Sequence, residues 1–94
     1  MGLHFEWDAS KAEANLGKHG VSFDEGATVF QDALAAIFED PDHSLDELRE
    51  IAIGHSIVGR LLVVAFVERS NGRVRLISAR PATRTERNDY ERNR

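Results

Sequence analysis

The run LLVVAFVERSNGRVRLISARPATRTERNDY, residues 61–90, decides the fold. Leu61 to Val67 is seven apolar residues in succession, the mark of a central strand covered on both faces. Asn71-Gly72 is a hairpin signal, and it returns Val74 to Arg80 alongside that central strand. Pro81 ends the second strand. Thr83 and Glu86 then have capping-box spacing, which predicts a helix over 84–92. A strand bearing arginines therefore runs directly into a helix bearing more.

Upstream, Leu48 to Val58 alternates, with Arg49, Ile51, Ile53, His55 and Ile57 on one face. Val58-Gly59 makes a tight turn into the central strand. Ala33 to Phe38 (ALAAIF) reads as a further strand, though its composition also suits a helix extension. Between them Glu39 to Asp46 is an acidic loop, with Pro41 preventing regular structure. The N-terminal part is helical after a short first strand, Leu3 to Trp7. Asp8 caps a helix over Ala9 to His19 that ends in a left-handed stop at Gly20. Ser22 and Glu25 form another capping box, and Phe23, Ala27 and Phe30 follow helical spacing toward an end near Gln31. The order predicts one α+β domain over residues 1–94. Two N-terminal helices pack on an antiparallel sheet of about four to five strands, and a C-terminal helix follows.

Composition narrows the classes. The 94 residues contain no cysteine, so disulfides and thiolate metal sites are excluded. No apolar run reaches membrane-span length and no basic-then-apolar start is present, so a cytoplasmic location is expected, with no membrane partner. The net charge of −4 argues against a general nucleic-acid binder. Its distribution is uneven. Residues 1–46 hold two lysines against ten acids, a balance of −8, while residues 47–94 hold ten arginines against six acids, a balance of +4. Arginine without lysine suits bidentate recognition of phosphate or carboxylate.

Several motifs recur together along the chain: FEWD (5–8), Lys11, Asn15, KHG (18–20), VSF (21–23) and VF (29–30). They continue with IGHS (53–56), GRLLVV (59–64), RLISAR (75–80), Ala82, ER (86–87) and Tyr90. In that order they resemble the BrnT toxin family. The resemblance implies a ribonuclease toxin of a type II toxin–antitoxin pair with a RelE-like fold. It implies growth arrest through RNA cleavage without a metal. It also implies a BrnA-like antitoxin, a ribbon-helix-helix DNA-binding protein that neutralises the toxin in a hetero-oligomer. DNA would then be reached only through that antitoxin. No cofactor motif or Gly-rich phosphate loop occurs.

Metal-free RNA cleavage needs a base for the 2′-OH, an acid for the leaving 5′-oxygen and cations for the charge on phosphorus. Arg80, beside Pro81 and close to a helix N-terminus, is the first candidate for phosphate; the alternative is a pairing with Glu86 that locks the corner. His19 is the candidate acid or base, or else a helix C-cap. Glu86, Arg87 and Tyr90 complete the candidate catalytic set, with Tyr90 either stacking on a base or packing on the sheet. Arg49, Arg69, Arg84 and Lys18 are expected to contact phosphates. Arg73 and Arg75 read as surface residues and His55 as a buried, hydrogen-bonded histidine. Asp40, Asp42, His43 and Asp46 lack metal-site spacing and read as a solvated loop. A non-catalytic partner that modulates a DNA-binding repressor is the alternative function.

Overall fold

The computed structural model describes residues 2–40 and 48–92. His43 and most of the acidic loop lie outside the described residues. The elements are β1 (His4–Glu6), α1 (Ala9–His19), α2 (Phe23–Ala27), β2 (Ala36–Glu39), β3 (Arg49–His55), β4 (Leu61–Glu68), β5 (Arg73–Pro81) and α3 (Arg84–Arg92). The five strands form one sheet in the order β1-β5-β4-β3-β2. The class is α+β, as expected. One expectation is corrected: the sheet is mixed, because β1 pairs parallel to β5 while every other neighbour is antiparallel. The long path from β1 to β5 carries the chain back on the same heading. The second helix is also shorter than its periodicity implied. It passes at Thr28 into a 3-10 turn over Thr28–Gln31, where Thr28 Oγ1 donates to the Glu25 carbonyl at 2.6 Å.

Local rules set the ends of these elements. Asp8 accepts from the Lys11 amide and caps α1, and Gly20 at φ 69° closes it. Ser22 caps α2 through the Glu25 amide. At the β4–β5 hairpin Asn71 and Gly72 both have positive φ, and the Arg69 amide donates to the Arg73 carbonyl at 2.7 Å. Asparagine and glycine tolerate that backbone at little cost.

The period of two sorts the sheet into two faces. One face carries Ala52, Leu62, Val64, Phe66, Val74, Leu76 and Ala79, and α1 and α2 cover it with Val21, Phe23 and Val29. Fully burying a side chain such as Leu62 or Leu76 contributes roughly 1.5–3 kcal/mol. The other face packs Ile53, Leu61 and Val63 against Tyr90 of α3, with Ile51 and Ala82 at the margin. The run Leu61–Val67 is covered on both sides because α3 takes part of the second face. Where β5 passes beyond β1, Asn15 closes its outer edge. Its amide donates to the Ala79 carbonyl at 2.8 Å and to the Val21 carbonyl at 2.9 Å, and accepts from the Ala79 amide at 3.1 Å. A side-chain amide thus replaces one rung of a neighbouring strand.

Candidate functional site

The corner after β5 is built by one carboxylate. Glu86 takes both arms of Arg80, at 2.8 Å from Nη1 and 2.7 Å from Nη2. Glu86 also accepts from the Thr83 amide at 2.8 Å, while Thr83 Oγ1 accepts from the Glu86 amide at 3.1 Å. The capping box and the ion pair therefore share a side chain. Arg80, followed by the Thr83 amide, holds the Glu86 carboxyl down at about 2. Nη1 of Arg80 reaches the Pro81 carbonyl as well, at 3.2 Å. The arginine fork is thereby engaged within the corner, and α3 is fixed to the sheet.

A second cluster forms where α3 meets the end of β3. Asp32 follows the 3-10 turn, and its Oδ2 accepts from the His55 amide at 2.8 Å and from the Tyr90 hydroxyl at 2.9 Å. Its Oδ1 accepts from the Leu34 amide at 2.9 Å. These donors hold the Asp32 carboxyl below the usual range, the His55 amide foremost. The His55 ring stands edge-on to Tyr90 with centroids 5.4 Å apart, and its Nδ1 is 3.7 Å from Asp32 Oδ2. His55 is only partly covered and lines an open cleft of about 290 Å³ with Gln31, Asp32, Ser56 and Ile57. Gly54 makes the approach of Asp32 possible. A Cβ there would lie 2.8 Å from the Ala35 Cβ and 3.1 Å from Asp32 Oδ2. Ser56 then donates to Glu25 at 2.7 Å, and Arg60 joins the same carboxylate and the Gly20 carbonyl. The IGHS segment is thus the joint between β3 and the helical layer.

The α3 face of the sheet also carries arginines in register. Paired residues share a face. Across β3, β4, β5 and β1 one row reads Arg49, Val67, Arg75, Glu6. The next reads Ile51, Ala65, Ser78, and the next Ile53, Val63, Arg80. A bulge places Ile77 between these rows on β5, so that Arg75 and Arg80 keep the same face despite their odd spacing. Glu6 meets Arg73 at 3.1 Å, Arg75 at 3.5 Å and Arg69 at 3.9 Å. The Arg73 hydrogen bond leads the three arginines in lowering the Glu6 carboxyl. Glu6 thus gathers three guanidiniums at that end of the face. Small side chains, Ala65 and Ser78, lie between it and α3.

The expected site residues divide accordingly. Arg80, Glu86 and Tyr90 converge with α3, and Arg84 and Arg87 are exposed on that helix. Arg49 is partly covered on the same sheet face, and Arg69 lies at its margin. His19 and exposed Lys18 end α1, which packs on the opposite face. Among the described residues no hydrogen bond or ion pair joins His19 to Arg80 or Glu86. Arg73 and Arg75, read as surface residues, are solvent-accessible and also form the Glu6 cluster. His55 is not the buried residue expected, and Asp32 was not singled out at all. Alternation shows which face His55 takes, but nothing local shows that a carboxylate from residue 32 closes over it. Among the described residues no group of three or more His, Asp or Glu is placed to hold a metal ion.

The family model described as the ribonuclease toxin, BrnT, of type II toxin-antitoxin systems matches residues 7–86. No curated protein matches the chain. The crystal structure of the Brucella abortus ribonuclease toxin, BrnT, is similar in fold. It aligns with a TM-score of 0.69 at 24% identity, covering 87% of this chain and 99% of that one.

Proposed function

The chain belongs to the BrnT family of ribonuclease toxins of type II toxin–antitoxin systems, and from that premise we propose that it is an endoribonuclease of RelE-like fold. It cleaves RNA without a metal, stops translation and growth, and is neutralised by a BrnA-like ribbon-helix-helix antitoxin. The observation that carries this reading is the arginine-bearing sheet face. In a chain of net charge −4, Arg49, Arg75 and Arg80 share one face, with Arg69 and Arg73 at its edge. An RNA backbone laid along it meets guanidiniums at its phosphates and small side chains beneath its sugars.

In metal-free cleavage the 2′-oxygen attacks the adjacent phosphorus and the P–O5′ bond breaks. A base accepts the 2′-proton and an acid protonates O5′. Arg80 is assigned to the charge on phosphorus and Arg75, two rows along the face, to a neighbouring phosphate, with Arg84 and Arg87 guiding the strand from α3. Tyr90 and Glu86 fix α3 and act as positioning residues. His55 is the proton-transfer group assigned, since imidazole moves protons near neutral pH and this ring borders an open cleft, with its backbone amide tied to Asp32 and its ring edge-on to Tyr90. His19, across the sheet, is left to the end of α1.

The test uses toxin freed from its partner and incubated with RNA in excess EDTA. Cleavage should persist in EDTA, fall by at least tenfold in Arg75→Ala, and fall further in His55→Ala with the fold intact. Cleavage abolished by EDTA ends the metal-free reading, and full activity in both variants ends the assignment of this face. A second reading, a non-catalytic modulator of a DNA-binding repressor, draws on the closure of the Arg80 fork by Glu86. Failure of any purified preparation to cut RNA would favour it.

A further inference from the structure

The helical layer leaves part of its own sheet face open. α1 and α2 cover the end of that face nearest Ala79, and Phe30 marks the edge of the cover. Beyond it a groove of about 170 Å³ crosses the sheet over Leu3, Ile37, Phe66 and Val74. These residues come from the β1 end, β2, β4 and β5, so the groove runs across the strands rather than along one. Strands spaced at ~4.8 Å make such a path roughly 19 Å long, about three and a half turns of helix. Its margins are apolar and open: Leu3 is 47% exposed and Ile37 53%. β2 beside it is an edge strand exposed at every residue.

The same groove is acidic. Glu39 and Glu50 are direct cross-strand partners, and Glu50 and Glu68 both line the groove or its wall. Like charges directly opposite on a sheet destabilise it. Burial, with Glu68 and then Glu39 nearby, raises the Glu50 carboxyl above its usual range. A cation set among these carboxylates would relieve the repulsion, and apolar side chains beside it would cover Leu3 and Ile37. Phosphate would be repelled, so this is not a second RNA surface.

We propose that this groove is the docking site for a basic amphipathic helix of the antitoxin, which completes the helical layer opposite the arginine face. The inference rests on the toxin–antitoxin reading above. A second copy of this chain fits less well. Its basic surface lies on the opposite sheet face, so that pairing would be head-to-tail and would not give a two-fold dimer.

The experiment measures the Kd between the purified chain and the purified antitoxin encoded beside it, at two salt concentrations. The expected result is a loss of at least ~30-fold for the double variant Glu50→Lys/Glu68→Lys and at least ~10-fold for Ile37→Asp. Ile37 is exposed, so the second variant keeps its fold if the first does not. The charge variant should also lose the salt dependence of binding. Unchanged binding in both groove variants overturns the proposal. So does a loss confined to Arg73→Glu/Arg75→Glu, which would put the antitoxin on the arginine face. A toxin dimer that Ile37→Asp alone dissolves would assign the groove to a second copy instead. If the unaltered chain does not bind the antitoxin at all, the partner reading itself fails.

Discussion

Replacing Glu86 by Gln isolates the charge at the strand-to-helix corner, because the amide oxygen can still accept from the Thr83 N–H. In the native protein the carboxyl sits at about 2 against an ordinary value of 4.5. A depression of that size corresponds at most to about 3.4 kcal/mol of folding stability. The pair is part-solvated, with the Glu86 side chain 27% and the Arg80 side chain 37% exposed. Screening therefore reduces the expected contribution to roughly 1–2 kcal/mol. The folded-state value is lowered, so the contribution is complete above the unfolded-state value near 4.5 and is lost as pH falls toward 2. Urea unfolding of native and Glu86→Gln protein at pH 7, 5 and 3 reads this directly. The two stabilities should differ by roughly 1–2 kcal/mol at pH 7 and converge as the pH is lowered. A gap that stays constant from pH 7 to pH 3, or no gap at pH 7, would show that the Arg80 pairing does not fix the corner.

Three further outcomes follow from contacts elsewhere. Asn15→Leu removes the partners of the Val21 carbonyl and of both Ala79 backbone groups, so the urea midpoint should fall by the equivalent of about 3 kcal/mol or more. Gly54→Ala drives a methyl against Ala35 and Asp32 and should cost roughly 1–3 kcal/mol, with His55 signals shifted in an NMR spectrum. Tyr90→Phe removes one donor from Asp32 and should cost about 1 kcal/mol. The Asp32 carboxyl should then titrate at higher pH by carbon-detected NMR, because a hydrogen bond that favours its charged form is gone.

The legible parts of the fold were those governed by local rules. The Thr83 capping box, the Ser22 cap, the left-handed Gly20 and the Asn71-Gly72 hairpin are each short-range and appear in place, although the Glu25 carboxylate turns from its half of the expected box to Ser56 and Arg60. The apolar run from Leu61 correctly implied cover on both faces. The parallel pairing of β1 was not legible, since a three-residue strand carries no mark of the direction of a neighbour some 70 residues away. The site was legible as a composition but not as a geometry. Arginine enrichment pointed to the C-terminal half, and the Arg80–Glu86 pairing was one of two readings weighed. The Ile77 bulge, which aligns Arg75 with Arg80, depends on pairing to β4. The Asp32 contact depends on the empty space at Gly54, visible only once two distant segments are packed.

The parallel pairing of β1 with β5 has a consequence for synthesis. β1 finds its neighbour only once β5, some 70 residues later, has been made, and Glu6 meets its arginines only then. A nascent chain truncated before residue 73 can assemble neither the arginine rows nor the corner that follows them. Folding led from the N-terminus is delayed by such distant pairing. The arginine rows and the corner therefore form together, and only once β5 and the residues just beyond it have been made.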